Sequence, residues 1–215
     1  MGVITDNLDV WSVALRNTLL LFFAGGAIAL VLGTLIGAMR VSPIPVARAF
    51  GTLYVNIIRN TPLTLVFFFF AFGYPALRLP NPGFTVLAIW ALGVYTATYV
   101  AEVIRAGINT VPVGQAEAAR AIGLTFAQVM TLVVMPQAFR SVVPPMMSVF
   151  IALLKNTTVA AGFSVAELGV IRANLSERGE NALTVLLWVA VVFVVLVLLL
   201  SWLQRYLENK WRIAR

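Results

Sequence analysis

Between Arg16 and Arg40 the chain carries no charge, and NTLLLFFAGGAIALVLGTLIGAM fills the interval. A spanning helix needs about 20 mostly apolar residues, because the bilayer core offers backbone amides no partner but one another. The run predicts a first membrane span, and the rest of the chain must be arranged around it. Similar stretches follow at Leu53–Tyr74 (LYVNIIRNTPLTLVFFFFAFGY), Pro82–Ala101, Ser141–Phe163 and Ala182–Leu203. The second holds Arg59 near its start, Glu102 closes the third, and Lys155 is the one charge in the fourth. Of 215 residues, 61% are hydrophobic and 11% charged, against roughly 25% charged in a soluble domain. The expected fold is an all-α membrane protein, one domain over residues 1–215, with five transmembrane helices. GTLIG in the first span, with Gly33 and Gly37 four apart, is a close-packing pattern without chemistry.

The composition removes whole classes of function. There is no Cys and no His, and the two Asp residues, Asp6 and Asp9, both sit near the N-terminus. An intramembrane hydrolase needs buried carboxylate pairs, a Ser/His set or metal ligands, and the spans offer none of these. MGVITDNLDVW lacks a basic stretch and a small-residue cleavage site, so no cleaved leader is expected. The net charge of +7 is unevenly spread. With five spans, one side collects Arg40, Arg48, Arg105, Arg120, Arg140, Arg205, Lys210, Arg212 and Arg215. The other holds Arg16, Arg78, Arg172 and Arg178 among several acids. The basic side is expected to be cytoplasmic, which puts the N-terminus outside and the C-terminus inside the cell.

Between the third and fourth spans lies GQAEAARAIGLTFAQVMTLVVMPQAFR. Pro112 and Gly114 break the preceding helix, and Gln115–Ile122 is rich in alanine, a strong helix former. Glu117 and Arg120 stand three apart and can pair on one face. Gly123 suits the left-handed residue that ends a helix, and Thr125 with Gln128 is a capping box opening a second helix, which meets Pro136. The result is a helix-turn-helix elbow over about residues 112–140. Gly114–Val134 holds one basic residue, Arg120, far too few to neutralise phosphates, so no nucleic-acid partner is expected. The first helix also lacks the bulky apolar stripe of an interfacial membrane helix. A small-faced helix carrying only Glu117 and Arg120 as charges is built to enter a socket on another protein.

Glu117-Ala118-Ala119, then Gly123, then Pro136 resembles the cytoplasmic "EAA" loop of ABC importer permeases. IIRNTPLTLVFFFFAFG, YVAEVIRAGINTVPVGQAEAARAIG, MPQAFRSVVPP and LLKNTTVAAGFSVAEL are similar, in order, to segments of the polar amino-acid subfamily, from about Tyr54 to Leu168. Asn60 replaces the usual Gly, Met135 a Leu, and Asn156-Thr157-Thr158 an Asp-Thr-Ser; the pattern is most like actinobacterial glutamate permease subunits. The resemblance implies a permease in a bacterial plasma membrane that moves a polar amino acid inward by alternating access. It implies three partners beyond membrane lipid: a cytoplasmic ATPase dimer that holds ATP and Mg, a second permease subunit, expected to be a related sister, and an extracytoplasmic binding protein. Coupling would fall to Glu117, Ala118, Ala119, Arg120, Gly123 and Pro136.

This chain has no nucleotide loop of its own, since its two lysines, Lys155 and Lys210, follow Leu154 and Asn209 rather than Gly. No cofactor is expected in it. Ionisable groups at membrane depth are expensive and mark function by default. Arg59 begins RNTP, where Pro62 would break the second span locally, and Lys155 begins a polar turn. Arg59 and Lys155 would meet a glutamate's carboxylates, with Asn60, Thr61, Thr96, Thr98, Asn156 and Thr157 as hydrogen-bonding groups. Glu102 is read as a partner of Arg105 rather than of substrate. Glutamine, aspartate or arginine are the rival substrates. From another class, a self-sufficient oligomeric channel is the rival function, but it leaves the elbow without a purpose.

Overall fold

The uncharged first run lies inside a longer helix, α1 (Leu8–Val41), in a computed structural model that describes residues 2–210. Arg212 and Arg215, counted above on the basic side, lie outside the described residues. α1 packs against α4 (Phe84–Asn109) along Gly25, Gly33 and Gly37. At Gly33 a Cβ would stand 2.5 Å from the Val100 Cβ and 2.8 Å from the Ala97 carbonyl oxygen. Only glycine allows the two backbones this close, which makes the GTLIG pattern a helix-helix seam.

The second expected span is not a straight helix. α2 (Pro45–Asn60) and α3 (Leu63–Ala76) meet at an angle of 101°. Thr61 is extended at φ −87°, ψ 131°, as the residue before a proline prefers, and Pro62 opens the next helix. The Tyr54 hydroxyl donates to the Val94 carbonyl at 2.8 Å and ties the bent pair to α4. α3 contains a π turn at Phe69–Gly73. Within FFFF, Phe67 is buried and stacks on Phe163 with centroids 5.0 Å apart, while Phe68 and Phe69 are exposed.

α5 (Val113–Ala121) is the first elbow helix. The second does not stop at Pro136, as the sequence led us to expect. It runs on without a break as α6 (Phe126–Phe163), 38 residues that include the fourth span. A π turn over Val129–Val134 precedes the proline, and the Met135 amide donates to the Met130 carbonyl, five residues back. This shift of register accommodates the hydrogen bond that Pro136 cannot donate. The elbow and the fourth span are thus one rod. α6 ends in 3₁₀ turns over Thr157–Phe163, closed by Ser164 in the left-handed region at φ 60°. α7 (Ile171–Glu177) and α8 (Ala182–Lys210) follow, and α8 ends the described residues.

Among the described residues α1, α4, α6 and α8 are each long and apolar enough to cross a membrane, and the bent α2–α3 pair makes a fifth, broken span. Four of the five expected spans are present as continuous helices, and the bent pair supplies the fifth when its two halves are taken as one span. Phe67, Leu92, Leu153 and Leu154 lie at the centre of the largest buried cluster. A second cluster, around Trp11, Leu168, Ile171, Leu175 and Val185, closes the end of the bundle opposite the elbow. Exposed leucines and valines along α8, such as Leu187, Val194 and Leu198, suit a lipid-facing helix.

Candidate functional site

A cavity of about 420 Å³ opens between α4 and α6, halfway along the spans. Tyr95, Thr96 and Tyr99 line it from α4, and Ser148, Leu153 and Asn156 from α6. Tyr95 and Tyr99 are one helical turn apart, with their hydroxyls 3.0 Å from each other. The Arg59 guanidinium lies over the Tyr99 ring, 5.4 Å from its centroid. The bend at Thr61-Pro62 ends α2 there and leaves the cation on an aromatic face, where ring electrons partly offset its desolvation. The arrangement offers one positive charge, two phenols, an amide and two small hydroxyls, a set suited to a polar solute bearing a carboxylate.

The sequence candidates divide around this cavity. Asn156 and Thr96 line it, and Arg59 stands beside it over the Tyr99 ring. Lys155 does not: it lines a separate cavity with Thr158, Phe193, Val197 and Leu198, facing α8. Neighbouring residues on a helix point about 100° apart, so Asn156 and Lys155 cannot share a face. Thr98 and Thr157 are buried, and their hydroxyls donate to the Tyr95 and Leu154 carbonyls of their own helices at 2.8 and 2.7 Å. Asn60 and Thr61 likewise donate to the Asn56 and Ile57 carbonyls, both at 2.8 Å. Tyr95, Tyr99 and Ser148 were missed. YTATY, with phenols four apart in an otherwise apolar span, was the available signal.

The elbow is held from within. The Gly123 amide donates to the Arg120 carbonyl at 2.9 Å and the Leu124 amide to the Ala119 carbonyl at 3.2 Å. This is the Schellman pattern, with Gly123 at φ 92°. The Thr125–Gln128 capping box is formed in both directions. Gln137 donates to the Gln115 side chain at 2.6 Å across the two helices. Ala119 is not part of the outward face: it is buried against Val129 and Val134 in the elbow's own small core. Glu117 and Arg120 are both exposed and form no ion pair with each other, contrary to the spacing argument. Glu117, Ala118, Arg120 and Gly123 remain on the surface, beside Val113 and Ile122, which are 72% and 81% exposed. Pro136 is exposed at the start of the rod's α-helical part. A rigid, apolar-tipped projection outside the spans is a shape for docking.

Comparison with known families decides the class. The description "binding-protein-dependent transport system inner membrane component" matches residues 29–213. The chain belongs to this family. It is a multi-pass permease subunit of a membrane transporter, not an enzyme, and it works as one component of a larger assembly. A glutamate transport system permease protein of Corynebacterium efficiens is 42% identical to the permease over 182 residues, covering 79% of this chain and 80% of that one. A probable glutamine ABC transporter permease protein of Bacillus subtilis is 35% identical over 210 residues, covering 98% and 97%. The crystal structure of an amino acid ABC transporter with histidines superposes with a TM-score of 0.90 at 28% identity, over 96% of both chains.

Two charged groups in the permease lie away from the cavity. Glu102 pairs with Arg40 of α1 and with Arg105 of its own helix, the latter at 2.9 Å, and so fastens α1 to α4 at the elbow end. At the other end Glu167 is fully buried beside Thr18 of α1. One carboxylate oxygen accepts the Gly169 amide at 2.7 Å, and the other has no hydrogen-bond partner. Burial pushes this carboxyl up to about 7, and the Gly169 amide and Thr18 hydroxyl pull it back less. In the sequence Glu167 lies between two spans, on the less basic side, and no local pattern marks it as buried.

Proposed function

We propose that the permease carries glutamate into the cytoplasm, using energy from a separate ATPase dimer engaged by the elbow. The observation that carries the substrate reading is Arg59 on the Tyr99 ring beside the Tyr95–Asn156 cavity. One cation beside neutral hydrogen-bonding groups can receive an α-carboxylate, and Ser148, Asn156 and the phenols can receive the rest of a polar side chain. The glutamate and glutamine transport named for the relatives supports the same class of substrate. With one cation at the cavity instead of two, a second carboxylate must be met by hydrogen bonds or by the other permease half, and glutamine is the rival substrate for that reason.

The cavity is only partly enclosed in the single chain, and a second permease subunit, a related sister, closes it across an interface in this reading. In this reading the N-terminus is outside, the C-terminus and elbow are cytoplasmic, and a binding protein delivers substrate to the outer end. ATP and Mg stay on the ATPase. Glu117, Ala118, Arg120 and Gly123 touch its socket, while Ala119 and Pro136 keep the elbow's shape. Rocking of the two halves then alternates access to the cavity.

The test is reconstitution. The chain is assembled with its sister permease, ATPase dimer and binding protein in liposomes, and labelled glutamate uptake is followed with and without ATP. Uptake that needs ATP and the ATPase is expected. Uptake by the chain alone would overturn the importer reading in favour of a self-sufficient channel.

A further inference from the structure

α2 carries three faces. Gly51 is buried against α1, and Val55 against α1 and α4. Val46, Phe50, Leu53 and Ile57, three or four apart, form an exposed apolar stripe that lipid can solvate. Arg48, Thr52, Asn56, Arg59 and Asn60, at the same spacings, form a polar stripe on which all but Thr52 are exposed. Two arginines and two asparagines on a spanning helix cannot face hydrocarbon without large cost. The stripe therefore faces a polar interior. It starts at the elbow end and reaches the Tyr99 cavity at Arg59. Arg59 lies eleven positions after Arg48, about 16 Å along the helix.

At the elbow end the stripe borders a wide, shallow hollow of about 480 Å³, lined by Arg40, Arg48, Thr52 and Asn56 and edged by Leu53 of the apolar stripe. The Arg40 side chain is only 10% exposed, and its buried Nε has no hydrogen-bond partner. Arg40 and Arg105 share the one carboxylate of Glu102, so this cluster retains one positive charge. Arg48 adds a second, held at the α1–α2 turn by donating to the Ser42 and Pro43 carbonyls at 3.1 and 3.4 Å. The first turn of α2, at Pro45, adds the partial positive charge of a helix start. A shallow, net-positive hollow with hydroxyl and amide groups in its wall favours a small anion, and the polar stripe runs from it to Arg59 beside the Tyr95–Tyr99 cavity.

We infer that this second hollow is an exit station, in which the side-chain carboxylate of an anionic amino acid released from the Tyr95–Tyr99 cavity is met by Arg48, within the field of Arg40, before the amino acid leaves on the elbow side. The inference rests on the amino-acid import reading given above. Arg48 is then a selectivity residue: it speeds release of an anionic amino acid along α2 and matters less for a neutral one. Arg40 is fixed by Glu102 and contributes chiefly its field.

The experiment uses the complete transporter in liposomes, with labelled glutamate and labelled glutamine, and compares wild type, Arg48→Gln and Arg48→Lys. The expected result is an Arg48→Gln Vmax for glutamate lowered about tenfold at unchanged KM, a change of twofold or less for glutamine, and recovery in Arg48→Lys. An equal fall for both substrates would make Arg48 a clamp of the α1–α2 turn and overturn the station, as would no fall for either. The series is repeated with and without phosphatidylglycerol. A defect confined to anionic liposomes would assign the hollow to a lipid phosphate and overturn the proposal. If wild type refuses glutamine, the Gln and Lys variants on glutamate alone decide. Wild type that carries neither amino acid would instead overturn the import reading itself, and the station with it.

Discussion

A substitution at Gly123 separates the elbow's own stability from its contact with a partner. Gly123 has φ 92°, and a Cβ built there meets nothing within 4 Å. Within this chain a side chain is opposed only by the backbone, at about 1–2 kcal/mol for a left-handed residue with a Cβ. The turn retains its Schellman bonds, its capping box and the Ala119–Val129–Val134 core. A loss of that size is small beside a typical stability of about 5–15 kcal/mol. Gly123→Asp is therefore expected to stay in the membrane, with a shift of a few degrees in Tm. In a socket, an unpaired carboxylate costs about 3 kcal/mol or more, which weakens docking by two orders of magnitude. Uptake in reconstituted transporter should fall to near background, and the ATPase should no longer respond to the binding protein. Gly123→Asn is the control, because asparagine tolerates the left-handed region and adds no charge. It should keep the elbow's stability and show an intermediate transport defect. Normal uptake by Gly123→Asp would refute the docking role. Full activity of Gly123→Asn with none in Gly123→Asp would leave charge, not contact volume, as the cause.

Three further outcomes are expected. Arg59→Gln should raise the KM for glutamate at least tenfold while the transporter still assembles, measured by uptake and by size-exclusion chromatography; an unchanged KM would remove Arg59 from the substrate cavity. Glu167 gives a pH-dependent stability of definite sign. Its carboxyl is near 7 when folded, against 4.5 ordinarily, so the folded state holds a proton that the unfolded state loses between those values. Stability therefore falls as pH rises from about 4.5 to 7, by on the order of 3 kcal/mol. Glu167→Gln should match wild type in Tm near pH 5 and exceed it at pH 8, and equal Tm values at pH 8 would contradict the buried-acid account. Gly33→Leu forces the Ala97 carbonyl and Val100 away from α1, so a loss of about 1–3 kcal/mol or a failure to assemble is expected in thermal unfolding, with Gly37→Ala milder.

The spans were legible because hydrocarbon permits few solutions. A charge-free run of the length of Asn17–Met39 has to be a helix, whatever packs against it. The turn at Gly123 and the Thr125 cap were legible because both are local chemistry. Four features depended on context. Pro62 marked a break, but its 101° angle comes from packing that includes the Tyr54–Val94 hydrogen bond. Pro136 looked like a stop, yet a π turn before it lets the helix continue. Lys155 looked like a substrate cation, but the side of α6 it occupies is set by helix rotation, and that rotation puts Asn156 at the cavity instead. Ala119 reads as part of an outward alanine face, and only the fold of the elbow turns it inward.

The most direct measurement of the central claim is uptake of labelled glutamate in cells that lack this gene, with and without the chain restored, and with unlabelled glutamate, glutamine, aspartate and arginine as competitors. The account predicts that restoring the chain restores uptake and that glutamate competes best. Uptake that the chain does not restore, or that arginine blocks better than glutamate, would contradict the assignment of Arg59 and its cavity to an anionic amino acid.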